Sequence, residues 1–356
     1  MRIATALLLR VPAMSDESQN SDDPKRHPTF GIPDLPEQVL ETYARLWQLE
    51  TWLRRLVYVE LRAAEGDNWI VKIPEVERAR RADARLRHMP TPEADALSYA
   101  QFSHPQKIIQ QEWRLFEPFL PPMTIWEAKM EEVSQIRHRV AHFRRGHRDD
   151  LQRVIQLLRD LDHGFWRFCT SFNDPTPVLP QSDDPVVSHF LDLDLIPWTQ
   201  VQDGKWARVG FADPNAPLFV TVEVLCRPWA TWSTPIAGTP GLVYYVTLHA
   251  RGGRRLDSKQ FLDGTQTIHR HFVYVALDNA SSNVQVTIPA VLGEGAVIRL
   301  IERLVEACRY ALTSSTWRTS EDAVRALVEA SPEYVLGPEN PLAFLSPDMP
   351  CSFFGV

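Results

Sequence analysis

The chain has 356 residues, 44% hydrophobic and 23% charged, a globular composition that excludes disorder as its main state and leaves room for two domains of common size. Thirty-eight Lys and Arg against 45 Asp and Glu give a formal charge of -7, so no whole-chain positive field advertises nucleic acid as a partner. Only six of those 38 cations are lysines; the arginine excess fits a GC-rich genome as well as phosphate recognition by the planar guanidinium.

Residues 1–35 open with a short apolar run, Ile3 to Leu9, that charged residues soon follow. They read as a disordered or loosely docked lead-in, not a signal peptide. Order is expected from Pro36. To Trp69 the sequence is densely apolar, with Glu41, Arg45, Gln48, Arg55 and Arg62 marking a polar stripe, which predicts one long, mostly buried helix. An Arg-rich, solvated helix is expected over 75–88, a third over 105–117, and a fourth over 123–145 with Trp126, Met130, Val133, Ile136 and Val140 as its apolar stripe and Gly146 as its stop. The fifth begins near the capping Asp149 and carries Leu151, Val154, Leu158, Leu161, Phe165, Phe168 and Phe172 at spacings of three and four. Residues 36–172 therefore predict an all-α bundle.

The stretch 173–185, rich in proline and without period, reads as a linker. Beyond it, 186–356 predicts an α+β domain: strands at 205–211, 217–226, 241–249, 271–277 and 283–288, then helices at 295–313 and 320–330. The expected fold class is multi-domain, an all-α bundle followed by an α+β domain. Four dispersed cysteines argue against a disulfide framework or structural zinc, and no apolar run reaches the ~18 residues of a membrane span. A reducing cytoplasm is the expected location.

The most informative stretch is IRHRVAHFRRGHRDD, residues 136–150. Arg137 projects toward the helix's apolar stripe, where a cation needs a partner or a purpose. His138 and His142, four apart, share a different face, with roughly 140° between Arg137 and His142 on a straight helix. Either the helix deforms, the long Arg side chain wraps round, or a second subunit completes a site.

An Arg, a polar residue, three more and a His, late in a helix of a small bundle, resembles the signature of the HEPN superfamily of ribonucleases and nucleotide-binding domains; here it is Arg137, His138 and His142, preceded by Ile136. Glu50, Arg54 and Arg55 resemble the acid-to-base element that HEPN nucleases carry on an earlier helix, though that spacing is also ordinary helix stabilisation. The resemblance spans residues 36–172. It implies a dimer whose chains contribute to one cleft, RNA as substrate, and a metal-independent endoribonuclease of the kind found among bacterial toxins and phage-defence effectors, with a neutralising or regulatory protein as a further partner. Because RNA carries its own nucleophile in the 2′-hydroxyl, cleavage needs a proton acceptor, a cation on the phosphate and a proton for the leaving oxygen, and no metal or other cofactor is obligatory. His142 suits the proton transfer, Arg137 the phosphate, and His138 the orientation of His142 or RNA binding. Arg139, Arg144, Arg145 and Arg148 are candidate substrate-binding residues, and Glu50 and Arg54 supporting ones. The reading from another class is a non-catalytic nucleotide- or RNA-binding adaptor whose bundle only dimerises.

Each of these residues has a plainer reading: a bundle carboxylate paired with Arg137, a surface His142, a structural Glu50–Arg54 ion pair, and a turn role for His147. His269 and His271, two apart near an expected strand, would share a face, but without an evident third ligand they read as packing. Asp192 and Asp194 read as the exposed face of a short strand, and Trp198, Trp206, Trp229 and Trp232 as core. Dividing the charge sharpens the opening arithmetic: residues 36–172 hold 21 Lys and Arg against 20 Asp and Glu, so the negative excess belongs to the remainder.

Overall fold

The structure is a computed structural model that describes residues 36–85, 88, 96–144, 146–170, 183–210, 216–278, 282–314, 325, 353, 354 and 356. The lead-in, most of the linker, Arg145 and, apart from Arg325, the helix expected at 320–330 lie outside the described residues.

The helical part comprises α1 (Glu37–Glu65), α2 (Pro74–Asp83), α3 (Ser103–Gln111), α4 (Trp113–Phe116), α5 (Met123–Ala141) and α6 (Asp150–Thr170), with short 3-10 turns between several of them. The periodicity works as expected: Leu46, Leu49, Leu53 and Leu56 of α1 meet Trp126, Met130, Val133 and Ile136 of α5 and Val154, Leu158, Leu161, Phe165 and Phe168 of α6 in one core. The helix expected at 105–117 divides at Glu112 into α3 and α4. Helix α2 is exposed along its arginines, as its scarcity of large apolar residues predicts. Gly164 lets α6 approach closely, since a Cβ there would lie 1.8 Å from the Phe119 carbonyl oxygen.

The second part follows as α7 (Pro185–His189), β1 (Trp198–Gln202), β2 (Lys205–Arg208), β3 (Leu218–Cys226), β4 (Leu242–Ala250), β5 (Arg254–Leu256), α8 (Ser258–Thr265), β6 (Tyr274–Leu277), β7 (Asn283–Pro289), α9 (Glu294–Ala311) and β8 (Leu312–Ser314). Strands β3, β4, β7 and β6, in that spatial order, form an antiparallel sheet. Helices followed by α+β is thus the observed organisation. β1, β5, β8, α7 and α8 are too short or too polar to announce themselves in sequence. The strand expected from 271 starts at Tyr274, because His271 closes a 3-10 turn that runs from Gln266. In that turn His269 and His271 do not share a face: His269 contacts Thr265 and His271 contacts Asp67. Asp192 lies within another 3-10 turn, Leu191–Leu193, and Asp194 follows it, so neither is on a strand, and Asp194 is sequestered beside Arg208.

The sheet is buried on both faces, which explains why β3 and β4 read as nearly unbroken apolar runs. Leu218, Val220, Val222 and Val224 alternate toward a core built with α7, α8 and α9. On the opposite face Leu225, Val243 and Tyr245 meet Ala63 of α1, and the Gly241 N–H donates to the Ala63 carbonyl at 2.9 Å. Arg227, just past β3, makes a bidentate ion pair with Glu60 of α1, and Trp229 donates its indole N–H to the same carboxylate at 2.7 Å. Phe353 and Phe354 pack with Trp52 and Phe165 of the helical core. Sheet and bundle therefore share α1 as a common wall. No helix among the described residues is long and apolar enough to cross a membrane.

Candidate active site at the end of α5

Helix α5 ends at Ala141, four residues short of its expected end at 145, and the cause is a local hydrogen-bond pattern. The Arg144 N–H donates to the Arg139 carbonyl at 2.9 Å and the Phe143 N–H to the Val140 carbonyl at 3.2 Å, a Schellman termination. Such a motif puts one residue in the left-handed region, usually glycine; here it is Phe143, at φ 53°. A non-glycine residue there is uncommon and strained, and the Phe143 side chain gains nothing from packing, being 97% exposed.

The last turn of the helix is locked from α6. Arg139 forms a bidentate pair with Asp150, Nε to Oδ2 being 3.1 Å, and the same carboxylate accepts the His147 backbone N–H at 2.9 Å. Asp150 is buried, so its charge depends on this guanidinium. Arg139 is accordingly committed to holding the turn. Arg148 is almost fully exposed, 3.6 Å from Asp149, while its carbonyl accepts a hydrogen bond from Gln38 at the start of α1.

Within this frame Arg137 is partly buried, its guanidinium 5.9 Å from the ring centre of Phe102. Among the described residues it has no carboxylate partner and no hydrogen bond. The bundle carboxylate that the plainer reading supplies is thus absent from its surroundings there. A guanidinium over an aromatic face, with no carboxylate partner among the described residues, has N–H groups that can receive an anion. His138 and His142 are exposed, their rings edge to face with centroids 4.3 Å apart. His138 is held below the ordinary imidazole value, chiefly by desolvation and further by the charges of His142, Arg144 and Arg137. Arg137 and Arg144 therefore both lie within electrostatic reach of the histidine pair, despite the angular separation on the helix. Arg144 is exposed, with no side-chain partner among the described residues.

Glu50 and Arg54 stand apart from this group. They pair with one another at 2.6 Å, and Arg54 donates to the Ala100 carbonyl at 2.8 Å, tying α1 to the segment that carries Phe102.

Sequence reasoning missed Phe143, Phe102 and Asp150. Only Phe143 left a trace, as an aromatic residue just past the second histidine where a helix end would favour glycine. Phe102 and Asp150 are brought to the site by tertiary packing. The chain matches no family model, no curated protein and no solved structure.

Proposed function

We propose that the chain is a metal-independent endoribonuclease of the HEPN type whose site forms where the ends of α5 from two copies meet. The carrying observation is Arg137: a cation without a carboxylate among the described residues, braced on Phe102, beside two exposed imidazoles in contact. RNA supplies the remaining reactant. His142 takes the proton of a ribose 2′-hydroxyl, the 2′-oxygen attacks the adjacent phosphorus, the bond from phosphorus to the 5′-oxygen breaks, and an imidazolium returns a proton to that oxygen. The products are a 2′,3′-cyclic phosphate and a 5′-hydroxyl. Arg137 stabilises the charge accumulating on the phosphoryl oxygens, where a fixed two-pronged donor is most effective. His138, its pKa lowered by its surroundings, orients His142, and Arg144, Arg145 and Arg148 hold the backbone on either side. Phe143, exposed beside them, offers a face on which an unpaired base stacks.

The second copy is motivated by the surface next to the site. Leu40, Tyr43 and Trp47 are exposed on one face of α1, and the start of that helix is tied to the site through Gln38, which donates to the Arg148 carbonyl. An exposed apolar strip continuous with an incomplete catalytic group fits a homodimer interface. In this reading the bundle and the α+β part are separate functional domains, the latter sensing, recruiting or restraining, in a bacterial toxin or phage-defence effector of the cytoplasm.

The test is incubation of purified protein with tRNA in EDTA, with cyclic-phosphate ends mapped. Cleavage is expected from the parent and to fall at least ~100-fold in His142→Ala. Cleavage unchanged in that variant, or ending in 3′-hydroxyls, would refute the mechanism.

A further inference from the structure

A second cluster of cations lies far from the α5 terminus along α1. A cavity of about 300 Å³ opens between the end of α1, the 3-10 turn Gln266–His271 and helix α9. Its lining combines apolar Ile268, Leu292 and Leu300 with Arg299 and Arg303, and with Asp67 and His271. Arg299 and Arg303 are exposed, one helical turn apart. Arg299 has no ion pair or side-chain hydrogen bond among the described residues, and Arg303 donates only to the Thr267 hydroxyl, at 3.1 Å.

The single carboxylate in the wall is already compensated. Asp67 lies 2.7 Å from His271 Nδ1 and 3.3 Å from the Arg62 guanidinium. Arg270 donates its Nε–H to His271 Nε2 at 3.1 Å, which leaves Nδ1 as the protonated nitrogen facing Asp67. Behind them Arg62 is 2% exposed; one terminal nitrogen faces Asp67 and the other donates to the Gly66 carbonyl at 3.3 Å. Burial lowers its pKa, against the pull of Tyr58 and Asp67. Arg299 and Arg303 thus line the cavity beside a carboxylate that Arg62 and His271 already engage, which leaves the lining with an excess of positive charge. None of these residues belongs to the proposed ribonuclease site.

We propose that this cavity binds a small organic phosphate of mononucleotide size, the phosphate taken by Arg299 and Arg303 and the apolar body laid against Ile268, Leu292 and Leu300. Its volume is at the lower end of the range for small-molecule sites. The arginines select an anion, and the apolar lining favours a ligand with an uncharged body over the bare ion.

Thermal unfolding of the full chain with AMP, GMP, CMP or UMP, against inorganic phosphate, tests the assignment. At least one nucleotide is expected to give a saturable rise of about 2–4 °C, exceeding that of inorganic phosphate at the same concentration. The rise should vanish in Arg299→Glu/Arg303→Glu and in the gentler Arg299→Gln/Arg303→Gln, both at surface positions, and persist in His142→Ala. No saturable rise, an equal rise with inorganic phosphate, or a rise that survives the arginine variants overturns the proposal. A rise lost only in His142→Ala would place the phosphate at the α5 terminus and overturn it equally.

Discussion

Glu60 of α1 and Arg227 beyond β3 form a bidentate ion pair that is 0% and 2% exposed, joining residues 167 positions apart across the seam between bundle and sheet. Neither charge has water to fall back on. Removing one partner strands the other, a change that costs about 3–5 kcal/mol, whereas replacing both with apolar groups of similar volume is far milder. Glu60→Ala and Arg227→Ala should each shift urea denaturation by that amount. A Glu60→Leu/Arg227→Met double variant should recover much of the loss, although the Trp229 indole N–H then loses its acceptor. Equal losses in single and double variants would contradict the account.

Gly164 gives a prediction whose sign is set by geometry. Helix propensity alone favours alanine over glycine by about 1 kcal/mol. Here, however, the added Cβ would meet the Phe119 carbonyl oxygen at 1.8 Å, a backbone atom that cannot swing aside. Gly164→Ala should therefore destabilise by about 1–3 kcal/mol in chemical denaturation; a stabilised variant would show that the approach of α6 is not needed.

At Phe143 stability and activity should part. Phe143→Gly relieves a left-handed residue that packs on nothing and should raise stability by about 1 kcal/mol. The same change removes the proposed stacking face, which is worth about 1–3 kcal/mol per base, so RNA should bind roughly tenfold or more weakly in a filter or anisotropy assay. Unchanged binding would remove Phe143 from the site.

Arg137 and the strip on α1 test the composite site. Arg137→Lys keeps the charge but loses the planar fork, and should fail to restore cleavage while leaving the melting temperature near that of the parent. Tyr43→Asp/Trp47→Asp should convert a dimer to a monomer by light scattering and abolish cleavage together; an active monomer would undercut the two-copy cleft.

His249 should contribute a pH dependence of stability. Its ring stacks on Phe219 at 4.1 Å, bonds Asn283 and lies near Arg208 and Asp278. Burial, the largest influence, lowers its pKa. The unfolded chain therefore takes up the proton first, and stability falls as pH drops through the unfolded value of about 6.5 toward the folded one. The parent's melting temperature should decline between pH 7 and pH 5 more steeply than that of His249→Gln. Parallel declines would exclude His249 as a contributor.

The sequence by itself determined the local elements with a clear apolar pattern: the periodic helices α1, α5, α6 and α9, and the apolar, β-branched runs of β3, β4 and β7. It also placed Arg137, His138 and His142 near one another at the end of α5, because a separation of five residues along the chain is a local property. It did not contain the outcome for the charges around them. Arg139 and Arg148 look alike in a row of arginines, yet one is locked to buried Asp150 and the other stands in solvent. Glu60 and Ala63 read as ordinary positions on a long amphipathic helix, and only the arrival of the sheet makes one a buried ion-pair partner and the other part of a second core. The physical reason is common to all these cases. Hydrophobic periodicity is written in neighbours along the chain, whereas the partner of a charge, and hence whether it is spent on structure or left for a ligand, is chosen by residues that only folding brings near.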